Sequence, residues 1–353
     1  MHRREFLAGG LAATAAGLAG CRSMFQTRSA RSPPLVEDRP DAVYVPTHVE
    51  GMEMVGTKRA GPFQVALTYS FPHRFWLMDV DRTNQVEIQG SDSVHLMTTV
   101  WDPETGAVVP SRSVNATVTR DGETVVDRRL WPMLSQNMGV HAGDNVALDG
   151  DGTYEVTVEV GPVSTRTSGA FADRFAEGGE ASFTMAFERS AMDEISFELL
   201  QDEQGDSGAV DPMEMEMMPL SQLVEPGDMP GTHLATGVSG DATFAVFGTD
   251  APGGVEGENG RYLAVSPRTP YNRYPLPFMS LSATLTRDGS ELFSGPLQST
   301  FDPDLGYHYG AAVDPSDGDE LSVTVDGVPQ LARHEGYETA FLEFDDMDLT
   351  LSG

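Results

Sequence analysis

The chain has 353 residues but only one cysteine and one lysine, and both scarcities exclude something. With Cys21 alone, no disulfide can form within the chain, so neither half can be a disulfide-held scaffold. Stability has to come from apolar cores, and each half is long enough to bury one. Lys58 is the sole lysine, and 22 basic residues face 54 acidic ones, for a formal net charge of −32. That balance repels phosphates and excludes nucleic acid as a partner. The acids are scattered, and no calcium-loop spacing gathers them. The sequence also lacks a Ser-His-Asp order, a zinc-hydrolase motif and a phosphate loop, so it carries no case for an enzyme.

The N-terminus carries an export pattern. Arg3-Arg4, an apolar run from Phe6 to Leu18 and the small residues of Leu18-Ala19-Gly20-Cys21 are the three parts of a secretory signal. The paired arginines followed by Glu5-Phe6-Leu7 resemble the twin-arginine export class. Cleavage before Cys21 would leave a thiol for acylation. The expectation is therefore a lipoprotein anchored to the outer face of the cytoplasmic membrane. Its lysine-poor, carboxylate-rich surface is similar to that of salt-adapted, halophilic archaeal proteins, which stay soluble where salt screens their self-repulsion.

After the leader (1–21), residues 22–43 read as a flexible Ser-, Arg- and Pro-rich spacer. The remainder is all-β in character. Short alternating segments such as Phe63-Gln64-Val65-Ala66-Leu67 and Tyr154-Glu155-Val156-Thr157-Val158-Glu159-Val160 are separated by turn residues. Asp121-Gly122 and Asp288-Gly289 fit two-residue hairpins. A short helix is expected only over 192–204.

A constant displacement organises this body. Thr119-Arg120-Asp121-Gly122 recurs as Thr286-Arg287-Asp288-Gly289, His141-Ala142-Gly143 as His308-Tyr309-Gly310, and Val156-Thr157-Val158 as Val323-Thr324-Val325, each 167 residues on (287 − 120, 308 − 141 and 323 − 156). By the same offset Arg166 falls on Arg333, and Thr167 on His334. The predicted organisation is two tandem β-sandwich domains, 44–190 and 211–353, joined by an acidic linker at 191–210.

Histidine and methionine are the residues that could carry chemistry. Imidazole suits copper, iron, zinc and nickel, and thioether suits Cu(I). His95 and Met97 share one face of a strand, while Met133 and His141 bracket a short loop. Met213-Glu214-Met215-Glu216-Met217-Met218 reads either as a copper-handling tract or as an alternating strand opening the second half. Phe71-Pro72-His73-Arg74-Phe75-Trp76 reads either as an aromatic binding segment or, by preference, as a packed loop near the sandwich edge.

The stretch Trp131-Pro132-Met133-Leu134-Ser135-Gln136-Asn137-Met138-Gly139-Val140-His141-Ala142-Gly143-Asp144-Asn145, followed by Gly152-Thr153-Tyr154, resembles the signature of the periplasmic iron-transport family (the Fe2+ transport protein family), which includes a treponemal lipoprotein. Val94-His95-Leu96-Met97 is similar to that family's Val-His-Leu-Glu strand, and Gly51-Met52-Glu53 resembles its Gly-Met-Glu opening. The resemblance implies an immunoglobulin-like, cupredoxin-related sandwich that often forms a homodimer. It also implies a transition-metal ion, iron or copper, held by histidines, a methionine and a glutamate. Carried over, it assigns His95, Met133 and His141 to the first half, with Met97 where the glutamate stands, a soft His₂Met₂ set that could borrow His48 or His73. The second half is a degenerate repeat: Tyr262 replaces His95, so His308 and His334 make a second site only with a ligand from the first half. The function implied is metal capture for a membrane permease. The alternative is a structural or protein-interaction lipoprotein that has lost its metal.

Overall fold

Residues 152–160 bury Tyr154, Val156, Val158 and Val160 while Glu155 and Glu159 face solvent, and residues 179–187 repeat this alternation. Period-two patterning of this kind makes a strand with one apolar face, and it recurs throughout the body. The computed structural model describes residues 32–110, 113–255 and 260–353. The expected leader, with Arg3, Arg4 and Cys21, lies outside the described residues. The folded unit runs from Pro34 to Gly353. It therefore includes part of the stretch read as a spacer, where Arg39 pairs with Glu338 at 2.9 Å.

In chain order the first half forms β1 (His48–Glu50), β2 (Glu53–Ala60), β3 (Phe63–Ser70), β4 (Phe75–Asp79), β5 (Arg82–Val86), β6 (Val94–Trp101) and β7 (Val114–Arg120). It continues with β8 (Glu123–Ser135), β9 (Gly139–Val146), β10 (Gly152–Val160), β11 (Arg166–Thr167), β12 (Gly179–Phe187) and β13 (Phe197–Leu199). The second half forms β14 (Thr232–Ser239), β15 (Ala242–Asp250), β16 (Arg261–Arg268), β17 (Ser280–Arg287) and β18 (Ser290–Asp302). Then come β19 (Gly306–Ala311), β20 (Glu320–Gly327), β21 (Ala332–Arg333) and β22 (Met347–Thr350). The all-β reading holds.

The hydrogen-bonded order β12-β10-β7-β8-β9-β6-β3-β2 of the first half reappears in the second as β22-β20-β17-β18-β19-β16-β15-β14. The long strand β8 pairs with β7 up to Leu130 and with β9 from Trp131 onward, so one strand serves both layers of a sandwich. β18 does the same, changing partner between Leu297 and Gln298. The hairpin turns hold as well: Asp121 and Asp288 both take positive φ (52° and 50°), as do Gly122 and Gly289. Val, Leu, Phe and Tyr side chains from both halves form one continuous core, in which Phe171 of the first half stacks on Phe301 of the second at 4.9 Å.

The halves also exchange strands. β11 leaves the first half to lie parallel to β18. β21 leaves the second to lie between β8 and β4. The two crossings differ in register by one residue: Arg166 stands opposite Thr300, whereas Ala332 stands opposite Met133, the position equivalent to Thr300. A one-residue slip turns alternate side chains to the other face. By pairing, then, Ser168 and not Thr167 occupies the place of His334.

Two local expectations fail. Instead of a helix, residues 192–204 contain part of a 3-10 turn (Ala191–Glu194) and then β13, which pairs with β1. Backbone partners offered by β1 outweigh a weak helical preference. Residues 213–218 form a tight turn closed by a Met215–Met218 bridge, not a strand opening the second half.

Candidate metal centre

The outer face of the β3-β6-β9-β8 layer carries His95 on β6, His141, Gly143 and Asn145 on β9, and Met133 on β8. Antiparallel pairing aligns them, with His95 opposite Asn145, Met97 opposite Gly143 and Met133 opposite His141. Gly143 is the floor of the arrangement: a Cβ there would lie 2.9 Å from His95 Nε2 and 3.3 Å from Met133 Sδ. The two donor atoms thus converge on a space that only a residue without a side chain leaves open.

The remaining donors come from outside these strands, one earlier in the chain and one far later. His73, on the loop before β4, and His334, immediately after β21, close the site. One donor atom each from His73, His95 and His334 lies within 4.8 Å of the others. His334 Nε2 is 3.3 Å from Met133 Sδ, close to the separation of about 3.5 Å expected between two ligands on one tetrahedral ion. The His141 ring centre is 5.2 Å from that of His334.

The strand exchange is what delivers His334. Arg333, 1% exposed, hydrogen-bonds the carbonyls of Pro329, Tyr337, Ala340 and Phe341, which ties down the loop. His334 N–H in turn donates to Leu134 O at 3.1 Å. A guanidinium in such a carbonyl cage has little freedom, so its neighbour is held in place.

Oxygen acceptors set the tautomers. His95 Nδ1 faces Asn145 Oδ1 at 2.8 Å, His141 Nδ1 faces Gly139 O at 3.0 Å, and His73 Nδ1 faces Glu50 Oε1 at 2.7 Å. Each Nδ1 therefore carries the proton, and each Nε2 presents a lone pair. All three Nε2 atoms are buried and have no hydrogen-bond partner among the described residues. An orphaned buried acceptor costs about 1–3 kcal/mol, and a bound cation would relieve those of His73 and His95, whose donor atoms converge with that of His334. Burial holds His95 and His334 well below the ordinary imidazole value and pushes His141 down to about 4. These three imidazoles are therefore neutral, as ligands must be.

Of the residues read from the sequence, His95 and Met133 meet over Gly143, His141 stands opposite Met133 and beside His334, and His73, one of the two histidines the site could borrow, groups with His95 and His334. Met97 packs instead in a neighbouring methionine cluster. His48 lies beside Phe197, with ring centres 4.9 Å apart. Glu50, which drew no attention in the sequence, supplies a carboxylate behind His73. Its only sequence signal was its place beside Gly51-Met52.

The equivalent place in the second half is filled by protein. His308 repeats the His141 geometry, with Nδ1 3.0 Å from Gly306 O and an unpartnered Nε2. There, however, the Tyr262 side chain covers Gly310, the counterpart of Gly143. The Arg166 guanidinium donates to Tyr262 OH and to Thr300 Oγ1, both at 3.0 Å. The one-residue slip of β11 is what points Arg166 inward. A fixed guanidinium occupies the space in which the first half gathers its donors. His334 stands with the first-half histidines and His308 with Tyr262 and Arg166, so the two do not form a second-half site.

Among solved structures, the chain is similar to FetP of uropathogenic Escherichia coli as isolated, at 17% identity, covering 40% of this chain and 96% of that one, with a TM-score of 0.28. It is also similar to a copper-bound variant of that FetP, at 18% identity, covering 38% of this chain and 97% of that one, with a TM-score of 0.29. No curated protein matches the sequence. A family model matches residues 53–184 and 227–350, more than half of the sequence, and the chain belongs to that family, described as Domain of unknown function (DUF7350).

Proposed function

We propose that this protein binds one transition-metal ion in the centre formed by His73, His95, His141, His334 and Met133. As a lipid-tethered extracytoplasmic protein, it would capture that ion for a membrane permease. The observation that carries this reading is the convergence of His73, His95 and His334 donor atoms within 4.8 Å of one another, with the buried, unpartnered His95 Nε2 and the Met133 sulfur facing Gly143. Four imidazoles and a thioether, with no carboxylate among the direct donors, suit copper better than Fe(III); Fe(II) is the other ion the set accommodates. Glu50 behind His73 would orient the ring and raise its basicity. The tether rests on Cys21 and its preceding residues, and the permease on the chemistry of an exported ion carrier.

Metal content and stoichiometry of the protein made without its leader test this reading. The expectation is one Cu(II) or Fe(II) ion per chain, lost on replacing His95 or His141 by alanine and retained on replacing His308. A wild-type chain that takes up no more Cu(II), Cu(I), Fe(II), Mn(II) or Zn(II) than the His141→Ala variant would leave the structural lipoprotein as the better reading. The Arg166-filled second half already fits that description.

A further inference from the structure

Beside the histidine centre, Met52, Met54, Met97, Met138, Met215 and Met218 meet in one cluster whose other buried members are Ala66, Trp101 and Val108. They arrive from well-separated stretches. Met97 lies on β6, Met54 on β2, Met138 in the β8–β9 turn, and Met215 and Met218 in a turn anchored by Met213 N–H to Asn137 O at 2.8 Å. The main core is built differently. Its buried methionines are Met185, Met192, Met279 and Met347, scattered among far more numerous valines, leucines and aromatics.

Methionine is an ordinary gap-filler, and the repeat supplies the control for that explanation. The cross-strand row Met54–Thr68–Met97–Gly143 corresponds, strand for strand, to His233–Phe247–Ala264–Gly310. The second-half cluster at this place holds Phe247, Ala264, Leu305, Ala245, Tyr262 and a single methionine, Met229. The fold therefore packs this space with one methionine where the first half uses six. Sulfur gathers only in the half that also has the histidine centre.

Two further observations point to a cation. Thr68, opposite Met97 on β3, and Thr99, two residues from Met97 on the same face of β6, are about 1–2% exposed. Their Oγ1 atoms have no hydrogen-bond partner among the described residues. On the rim, Glu53, Glu214 and Glu216 are exposed, and Met217 is 56% exposed. This gives a negative approach to a soft interior.

We propose that this cluster is a second metal site, specific for a soft monovalent cation, Cu(I) or its surrogate Ag(I). Met97, opposite the glycine floor, separates it from the histidine centre. Thioethers favour monovalent soft ions and bind Cu(II), Fe(II) and Zn(II) weakly, so the two sites differ in selectivity.

A chain beginning at Arg22 contains the whole folded unit and no thiol. Titrated with Ag(I), and with Cu(I) under a chelator competitor, it is expected to take up two equivalents. Met54→Leu/Met215→Leu/Met218→Leu, a volume-conserving change, should drop this to one and leave Cu(II) uptake at the histidine centre unchanged. His95→Ala/His141→Ala should also drop it to one, leaving the thioether equivalent. With methyl-labelled methionine, Ag(I) should shift the resonances of the cluster in the His95→Ala/His141→Ala chain and spare those of Met185, Met192, Met279 and Met347. Unchanged Ag(I) uptake by a folded triple-leucine variant, or no Ag(I)-induced shift of the cluster methyls, overturns the proposal. Loss of Cu(II) binding alone would instead count against the histidine centre.

Discussion

Replacing Gly143 by alanine puts a methyl group where the metal reading requires an ion. The new carbon would sit 2.9 Å from His95 Nε2, 3.1 Å from Leu96 O and 3.3 Å from Met133 Sδ. Metal–ligand bonds of about 2.0–2.3 Å to those two donors cannot pass through an occupied volume. His95 cannot swing aside either, because it is fully buried and its Nδ1 is tied to Asn145. Losing two of five donors should weaken binding at least about 100-fold, or about 2.8 kcal/mol. The fold should suffer less: one extra methyl in a packed place costs about 1–3 kcal/mol, and the gain in strand propensity over glycine offsets about 0.5–1 kcal/mol of that. Gly310→Ala is the matched control. Its methyl would run into the Tyr262 side chain, so it should lower the unfolding temperature and leave metal affinity unchanged. Chelator competition and thermal melts of both variants read the two effects separately. A folded Gly143→Ala protein with wild-type affinity would refute the placement of the ion over that floor.

Four other outcomes are expected. Glu50→Gln should weaken metal binding about 10–100-fold, measured by the same competition, because a neutral amide polarises the His73 ring less than a carboxylate does. Below its ordinary pKa of about 6.5 an unfolded imidazole binds a proton that folded His141 refuses until about pH 4. The unfolded state is then the more protonated, so metal-free stability should fall as pH drops from about 6.5 to 4, while bound metal should survive pH 6 and leave near 4; melts and metal retention across that range check both. With a net charge of −32, the unfolding midpoint should fall as salt is lowered from 1 M, where the screening length is about 3 Å, to 0.1 M, where it is about 10 Å; a flat midpoint would count against carboxylate repulsion. Cys21→Ser should release the protein from membranes, and its retention after a high-salt wash would contradict lipid anchoring.

The parts of the fold legible in the sequence were those written locally. Period-two burial in residues 152–160 and the Asp-Gly hairpins are short-range patterns, the 167-residue offset is the recurrence of such patterns, and the structure keeps them. His95, Met133 and His141 were legible through short motifs that resemble a known family's, and the structure sets those motifs on neighbouring strands of one sheet. His73 was legible only as a ligand the site could borrow and His334 only as half of a second site with His308, since what brings His334 to the first half is the path of β21 into the other half's sheet. Arg166 could not be read as the occupant of the second-half space, because a one-residue slip of β11 leaves no mark in an alignment of the halves. Met97 went the other way. It shares a face with His95, but its long side chain turns to the methionines that strand pairing and the 213–218 turn bring beside it.

The exchange of β11 and β21 has a consequence for how the centre behaves on dilution. His334 and the other four donors belong to different halves of one polypeptide, so their meeting depends on an effective local concentration set by the connecting chain and the shared core. A centre divided between two separate molecules would come apart as protein concentration fell. A single chain should hold a bound ion equally well at nanomolar and millimolar protein. Joining the halves also removes the symmetry that two identical copies would impose. One place can then hold an exchangeable cation while its twin carries a covalently attached one, Arg166, that never leaves.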